Sequence, residues 1–159
     1  MPLASVNSTY TDLVTSVFSS AIAAKVWFAS IAIGFALVQI LTASRIYGKL
    51  TWAIRKSYFG VSIGTVHRWA GRLAFFFTLP VAFHCIFILG FQTTNTRVLA
   101  HSILGTFFYG GFAVKVLVVR DHSLPGWVLP IAGSALFTAL VALWSTSSLW
   151  YFTNIRFGF

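Results

Sequence analysis

Apolar positions fill four long stretches of this chain, and polar residues gather between them. The first stretch covers about residues 26–44, and no charge falls between Lys25 and Arg45. The second covers about 67–90 and carries Arg68 and Arg72 in its first turns. The third covers about 98–119, interrupted by Lys115 near its end. The fourth covers about 127–152, with Pro130 in its first turn, where the missing N–H costs nothing. A helix needs about 20 apolar residues to cross a hydrocarbon core, whereas a barrel strand needs only about 10. Each stretch therefore predicts a transmembrane helix. The expected fold is all-α, a four-helix transmembrane bundle forming one domain over residues 25–159.

Residues 1–24 are more polar, yet they carry a pattern of their own. Leu13, Val14, Val17, Phe18 and Ile22 recur at helical spacing behind Thr11 and Asp12. That spacing predicts a short amphipathic helix, lying on the membrane surface or extending the first span.

Composition supports the membrane reading. Hydrophobic residues make up 58% of the 159 positions and charged residues 8%. Soluble domains carry about 25% charged residues, so a water-facing surface cannot be built from this chain. A soluble enzyme and a disordered chain are both excluded. Asp12 and Asp121 are the only carboxylates, so paired-carboxylate chemistry is absent and no catalytic residue is assigned. No thiolate cluster exists either, since Cys85 stands alone and reads as a small buried hydrophobe.

The net charge of +9 is a topology signal. Arg45, Lys49, Arg55, Lys56, Arg68, Arg72, Lys115 and Arg120 fall on one side of the expected bundle. Lys25, Arg97 and Arg156 fall on the other. This bias predicts a cytoplasmic 45–66 loop with both termini outside, in a bacterial cell membrane. The expected partner of the basic residues is a lipid surface, and no nucleic acid is expected.

Four histidines remain, all on or beside the second and third spans: His67, His84, His101 and His122. Polar side chains inside a bilayer cost free energy and call for a reason. Adjacent spans run antiparallel, which places His84 and His101 at matching depth on one side and His67 and His122 on the other. Imidazoles on facing helices form the usual axial set of a b-type haem. His84 and His101 are the favoured pair, and His67 with His122 is a second candidate pair. The competing reading of any one of them is an ordinary helix–helix hydrogen bond or an interfacial side chain.

Several neighbours fit a haem. Glycine follows four residues after His67 and His101, at Gly71 and Gly105, and would clear the same helix face for a flat macrocycle. Phe75, Phe76, Phe77, Phe83, Phe107 and Phe108 are candidates to wall the pocket, although aromatic packing of the bundle core explains them equally. Arg68, Arg72 and Arg97 are candidate partners for the haem propionates, or else they snorkel to headgroups. His67 and His84 are seventeen residues apart, which at about 100° per residue leaves them about 100° apart around the helix. His101 and His122 miss alignment by about 60° on the same arithmetic. A kink at Pro80 can alter that phase. One haem b is therefore favoured, and two remain open.

The stretch H-R-W-A-G-R-L-A-F-F-F, continuing to His84, resembles the haem-binding helix of ferric-reductase-like and cytochrome b561-like transmembrane proteins. Over roughly residues 26–152 the chain is also similar to an uncharacterised family of small four-helix bacterial membrane proteins. There H-R-W-x-G-R, the histidine of A-F-H-C, H-S-x-L-G and L-P-G-W-x-L-P-x-A-G recur. The first resemblance implies one-electron transfer within or across the membrane, in contact with a redox partner or other membrane subunits. No flavin- or nicotinamide-binding domain follows, so an electron-transfer protein is expected rather than a self-sufficient oxidoreductase. The alternative is a haem-free accessory subunit of a membrane enzyme, packed through small residues such as Gly105, Gly110, Gly111, Ala132, Gly133 and Ser134.

Overall fold

The structure, a computed structural model, describes residues 3–54, 56–121 and 123–156. Helix α1 runs over Leu3–Thr15 and α2 over Ala21–Ile46. A short hairpin follows, β1 Ser57–Tyr58 and β2 Val61–Ser62. Helix α3, Ile63–Phe83, continues as a π-helical stretch over His84–Leu89. Helix α4 covers Thr96–Arg120. Helix α5, Val128–Trp144, passes into π-helical turns at Ser145–Leu149 and Phe152–Arg156. Among the described residues, four helical segments are long and apolar enough to cross a membrane: Ala21–Ile46, Ile63–Leu89, Thr96–Arg120 and Val128–Ile155. The bundle is all-α apart from the hairpin.

The first three spans begin earlier than their apolar runs because polar caps start the helices. The Ser20 side chain accepts from the Ala23 N–H at 3.1 Å, and Ser62 from Thr65 at 3.3 Å. Asn95 Oδ1 accepts from Val98 at 3.0 Å. Each cap satisfies one of the donors that a helix start leaves unpaired. The N-terminal pattern resolves differently from expectation. Helix α1 ends at Thr15, so Val17 and Phe18 lie in the following turn and Ile22 belongs to α2. The expected stripe is thus divided between two helices. Between β1 and β2, Phe59 and Gly60 both take positive φ, the geometry a two-residue primed turn requires.

Two helix pairs make up the bundle: α2 lies along α3, and α4 along α5. Small residues on α2, including Ala24, Val26, Ala32 and Ala36, are buried and allow close approach. The pairs join through α2 and α5, where Trp144 Nε1 donates to Ser30 Oγ at 3.0 Å. Ala36, Phe108 and Leu140 form the buried core beside that seam. Helices α3 and α4 stand farther apart and meet through rings. Phe75 stacks on Phe112 with centroids 4.1 Å apart, and Tyr109 Oη donates to the Thr78 carbonyl at 3.0 Å. The outer faces carry Leu37, Phe76, Phe107 and Ile131, exposed as lipid-facing positions are.

Candidate functional site

The two ends of the bundle hold different histidines. At the end bearing the 47–62 connection, His67 turns from α3 toward α2. Its Nδ1 lies 2.9 Å from Thr42 Oγ1 and 3.1 Å from the Gln39 carbonyl oxygen. A carbonyl can only accept, so Nδ1 carries the proton. The Thr42 hydroxyl proton is directed at the Val38 carbonyl, 2.7 Å away, which leaves the hydroxyl oxygen to accept as well. With Nδ1 protonated, the neutral ring keeps its free lone pair on Nε2.

His101 repeats this device on the second helix pair. Its Nδ1 lies 2.9 Å from Thr146 Oγ1, in the π-helical turn that continues α5. The single Thr146 hydroxyl proton points to the carbonyls of Ala142 and Leu143, at 2.9 and 3.0 Å. With that proton directed at a carbonyl, the hydroxyl oxygen accepts from His101 Nδ1, and in that tautomer Nε2 keeps the lone pair. A hydrogen bond from the far ring nitrogen is what orients a metal-ligating histidine and fixes its tautomer. Arg97, one turn earlier on α4, donates to the Thr146 carbonyl and lays its guanidinium over the Trp150 ring, 4.1 Å from the centroid. Threonine in a membrane helix usually bonds back to its own helix, so neither Thr42 nor Thr146 stood out in the sequence.

His84 is different. It is 3% exposed, and neither ring nitrogen has a hydrogen-bond partner among the described residues. Leaving a buried polar group unsatisfied costs about 1–3 kcal/mol, and such groups in native structures call for a ligand or another reason. The imidazole lies beside the ring of Tyr10 on α1, with centroids 5.7 Å apart. It also opens the π-helical stretch of the second span, and Thr146 sits within the π-helical stretch of the fourth. Such stretches occur frequently at functional sites.

His84 and His101 share the end of the bundle that carries the 90–95 connection. His101 lies five residues into α4, about 7.5 Å of helical rise below that connection, and His84 lies at comparable depth. Lys25, from the first turns of α2, is close enough to act electrostatically on both rings. His67 lies at the opposite end, with Lys115 of α4 in its vicinity. His122 lies outside the described residues. The three arginines do not gather. Arg68 is exposed and bonds to Thr65, Arg72 is exposed over the Trp69 ring, and only Arg97 accompanies a histidine of the favoured pair.

The glycines and phenylalanines are distributed more widely than a single pocket would require. Gly71 faces α2, where an added Cβ would fall on the Gln39 side chain. Gly105 faces Leu143 of α5. Gly71 relieves a close contact within its helix pair, whereas Gly105 leaves ordinary room beside Leu143. Phe77 packs against Phe28 and Phe35 of α2, Phe108 joins the core, and Phe76 and Phe107 face outward. Phe75 lies between α3 and α4, and Phe83 beside Tyr10. Cys85 is a free, half-buried thiol. Among the described residues no three His, Cys, Asp or Glu side chains converge, so a small-ion site built on protein ligands alone is not formed.

A family model matches residues 4–159, nearly the whole chain. The chain belongs to the family of unknown function DUF6529. No curated protein and no solved structure matches it. The four apolar spans thus characterise a DUF6529 protein in which two imidazoles and a lysine share one end of the bundle.

Proposed function

We propose that this DUF6529 protein is an integral membrane b-type cytochrome with His84 and His101 as axial ligands of one haem b. Its role is one-electron transfer within or across the membrane, as part of a larger complex. The observation that carries the reading is His84, a buried imidazole with two unpartnered nitrogens at the same depth as His101. His101 in turn has its Nδ1 occupied by Thr146 and its Nε2 free. These residues fit the group, because a haem iron takes neutral imidazole nitrogens from facing helices. When bound, the haem supplies a one-electron couple whose potential follows from ligand type, hydrogen bonding and burial. The protein's part is to hold the His101 ring by its far nitrogen and to keep water from His84. His67 carries the same Nδ1–H arrangement, which keeps a second haem with His122 within the proposal's scope.

The test is an absorption spectrum of the protein purified from haem-sufficient cells. Reduced b-type bands at one haem per chain are expected, and they should disappear in His84→Ala and in His101→Ala. Protein that is folded and colourless at stoichiometric yield would refute the reading. The second reading, a haem-free accessory subunit, draws on Gly110 and Gly133, beside which nothing lies within 4 Å of an added Cβ. Open small-residue positions of this kind suit contact with another membrane helix. Colourless co-purification with a membrane enzyme would favour it.

A further inference from the structure

At the 90–95 end, α2, α4 and α5 enclose a cleft of about 200 Å³. Lys25, Arg97, His101, Thr146 and Ser147 line its polar side, and Val26, Val98 and Ile155 belong to its apolar walls. Cofactor and drug-sized pockets run to roughly 300–1,000 Å³, and this smaller cleft matches a group of head-group size. Two permanent cations stand in it. Of the two side-chain carboxylates, Asp121 belongs to the opposite end and Asp12 is exposed on α1. Among the described residues neither cation has a carboxylate partner. Arg97 is already held in place by the Thr146 carbonyl and the Trp150 ring, with further N–H groups to offer. Lys25 is half-buried and supplies a second charge from a different helix.

Depth identifies the occupant. Lys25 is the fifth residue of α2 and Arg97 the second of α4, and the cleft extends to Trp150, Tyr151 and Ile155 near the end of the fourth span. Cations and aromatic rings at the ends of spans sit at the level of lipid phosphates. Basic pockets between transmembrane helices bind anionic head groups there. We infer that this cleft is a binding site for an anionic phospholipid, with its phosphate between Lys25 and Arg97 and an acyl chain leaving along the apolar wall. His101 also lines the cleft, so the site adjoins a proposed haem ligand, but the inference rests on the two cations and requires no iron.

The experiment is native mass spectrometry of the detergent-solubilised protein titrated with phosphatidylglycerol or phosphatidylcholine. One phosphatidylglycerol should be retained about tenfold more tightly than phosphatidylcholine, a difference of about 1.4 kcal/mol. Lys25→Gln should remove most of that preference, while Lys49→Gln, on the exposed turn at the other end, should leave it intact. Equal retention of the two lipids would overturn the site, and so would an unchanged preference in Lys25→Gln. Displacement of the lipid by millimolar inorganic phosphate would overturn a lipid occupant in favour of a free anion. All of these readings can be made on coloured or colourless protein, so failure here is separable from failure of the haem proposal.

Discussion

His67 and His101 are held alike and surrounded differently. Each donates from Nδ1 to a threonine of the neighbouring helix, Thr42 or Thr146, and each stands four residues before a glycine that faces that same helix. Local chemistry therefore does not distinguish them. The surroundings do: His101 shares its end with His84, which has no polar partner among the described residues, with Lys25 and with Arg97, whereas Lys115 is the charged group that α4 brings toward His67. A histidine clamp is a packing device that any close helix pair can use. It gains a candidate chemical role where a second imidazole and uncompensated cations converge on the same end.

That contrast can be broken most directly at the ligands. Loss of all b-type absorbance is expected in His101→Ala, while His67→Ala should keep one haem per chain, measured by pyridine haemochrome. The opposite result would move the site to the other end of the bundle. Next in size is the packing within each pair. Gly71→Leu forces side-chain atoms onto Gln39 and should cost about 1–3 kcal/mol. Gly105→Ala has room beside Leu143, 3.9 Å away, and should be neutral or stabilising by up to about 1 kcal/mol. Reversible unfolding in mixed micelles would compare the two.

A smaller effect is expected at the threonines. Thr146→Val and Thr42→Val should each cost about 0.6–2 kcal/mol, the range for hydrogen bonds between membrane helices, and Thr→Ser should restore it. Nitrogen-15 shifts of labelled histidine in the haem-free protein should show Nδ1 protonated at both rings. At His101 that assignment should be lost in Thr146→Val. Rings that remain Nδ1-protonated without the threonine would show that the clamp does not set the tautomer.

The smallest effect lies outside the spans. The Ser123 hydroxyl and N–H both donate to Asp121, at 2.6 and 2.9 Å, and hold its carboxyl below the ordinary value of 3.8. A depressed folded-state value means the contribution to stability is present above the unfolded value. It fades as pH falls through the folded one. A carboxyl titration by NMR should show this shift in the wild-type protein and its partial loss in Ser123→Ala.

Much of the architecture was legible in the chain because the bilayer imposes a length on every apolar run. The runs beginning near Val26, His67, Val98 and Trp127 each matched a span, displaced by a few residues where Ser20, Ser62 and Asn95 cap the helices. The common depth of His84 and His101 was legible too, since antiparallel spans and residue counts suffice to place it. The direction in which each ring points was not. His67 and His101 turn toward α2 and α5, the helices they pack against, and periodicity alone cannot say which neighbour a face will meet. Gly71 and Gly105 illustrate the same point. Their spacing from the histidines was visible, but whether the cleared space would admit a flat ligand or a neighbouring helix depended on pairing. Lys25 was visible as a flanking charge, and only the approach of α2 to α4 and α5 made it part of a cleft.

The sequence by itself determined four apolar runs long enough to cross a membrane and almost no acidic groups, because hydrocarbon thickness and desolvation act on composition and run length directly. It also left the histidines as almost the only candidate redox ligands within the spans. Only the tertiary structure decided that His84 has no polar partner among the described residues, that threonines hold His67 and His101, and that Lys25 joins Arg97. Those outcomes depend on which helices pair and at what rotation. Interhelical packing sets both, and no single helix encodes either.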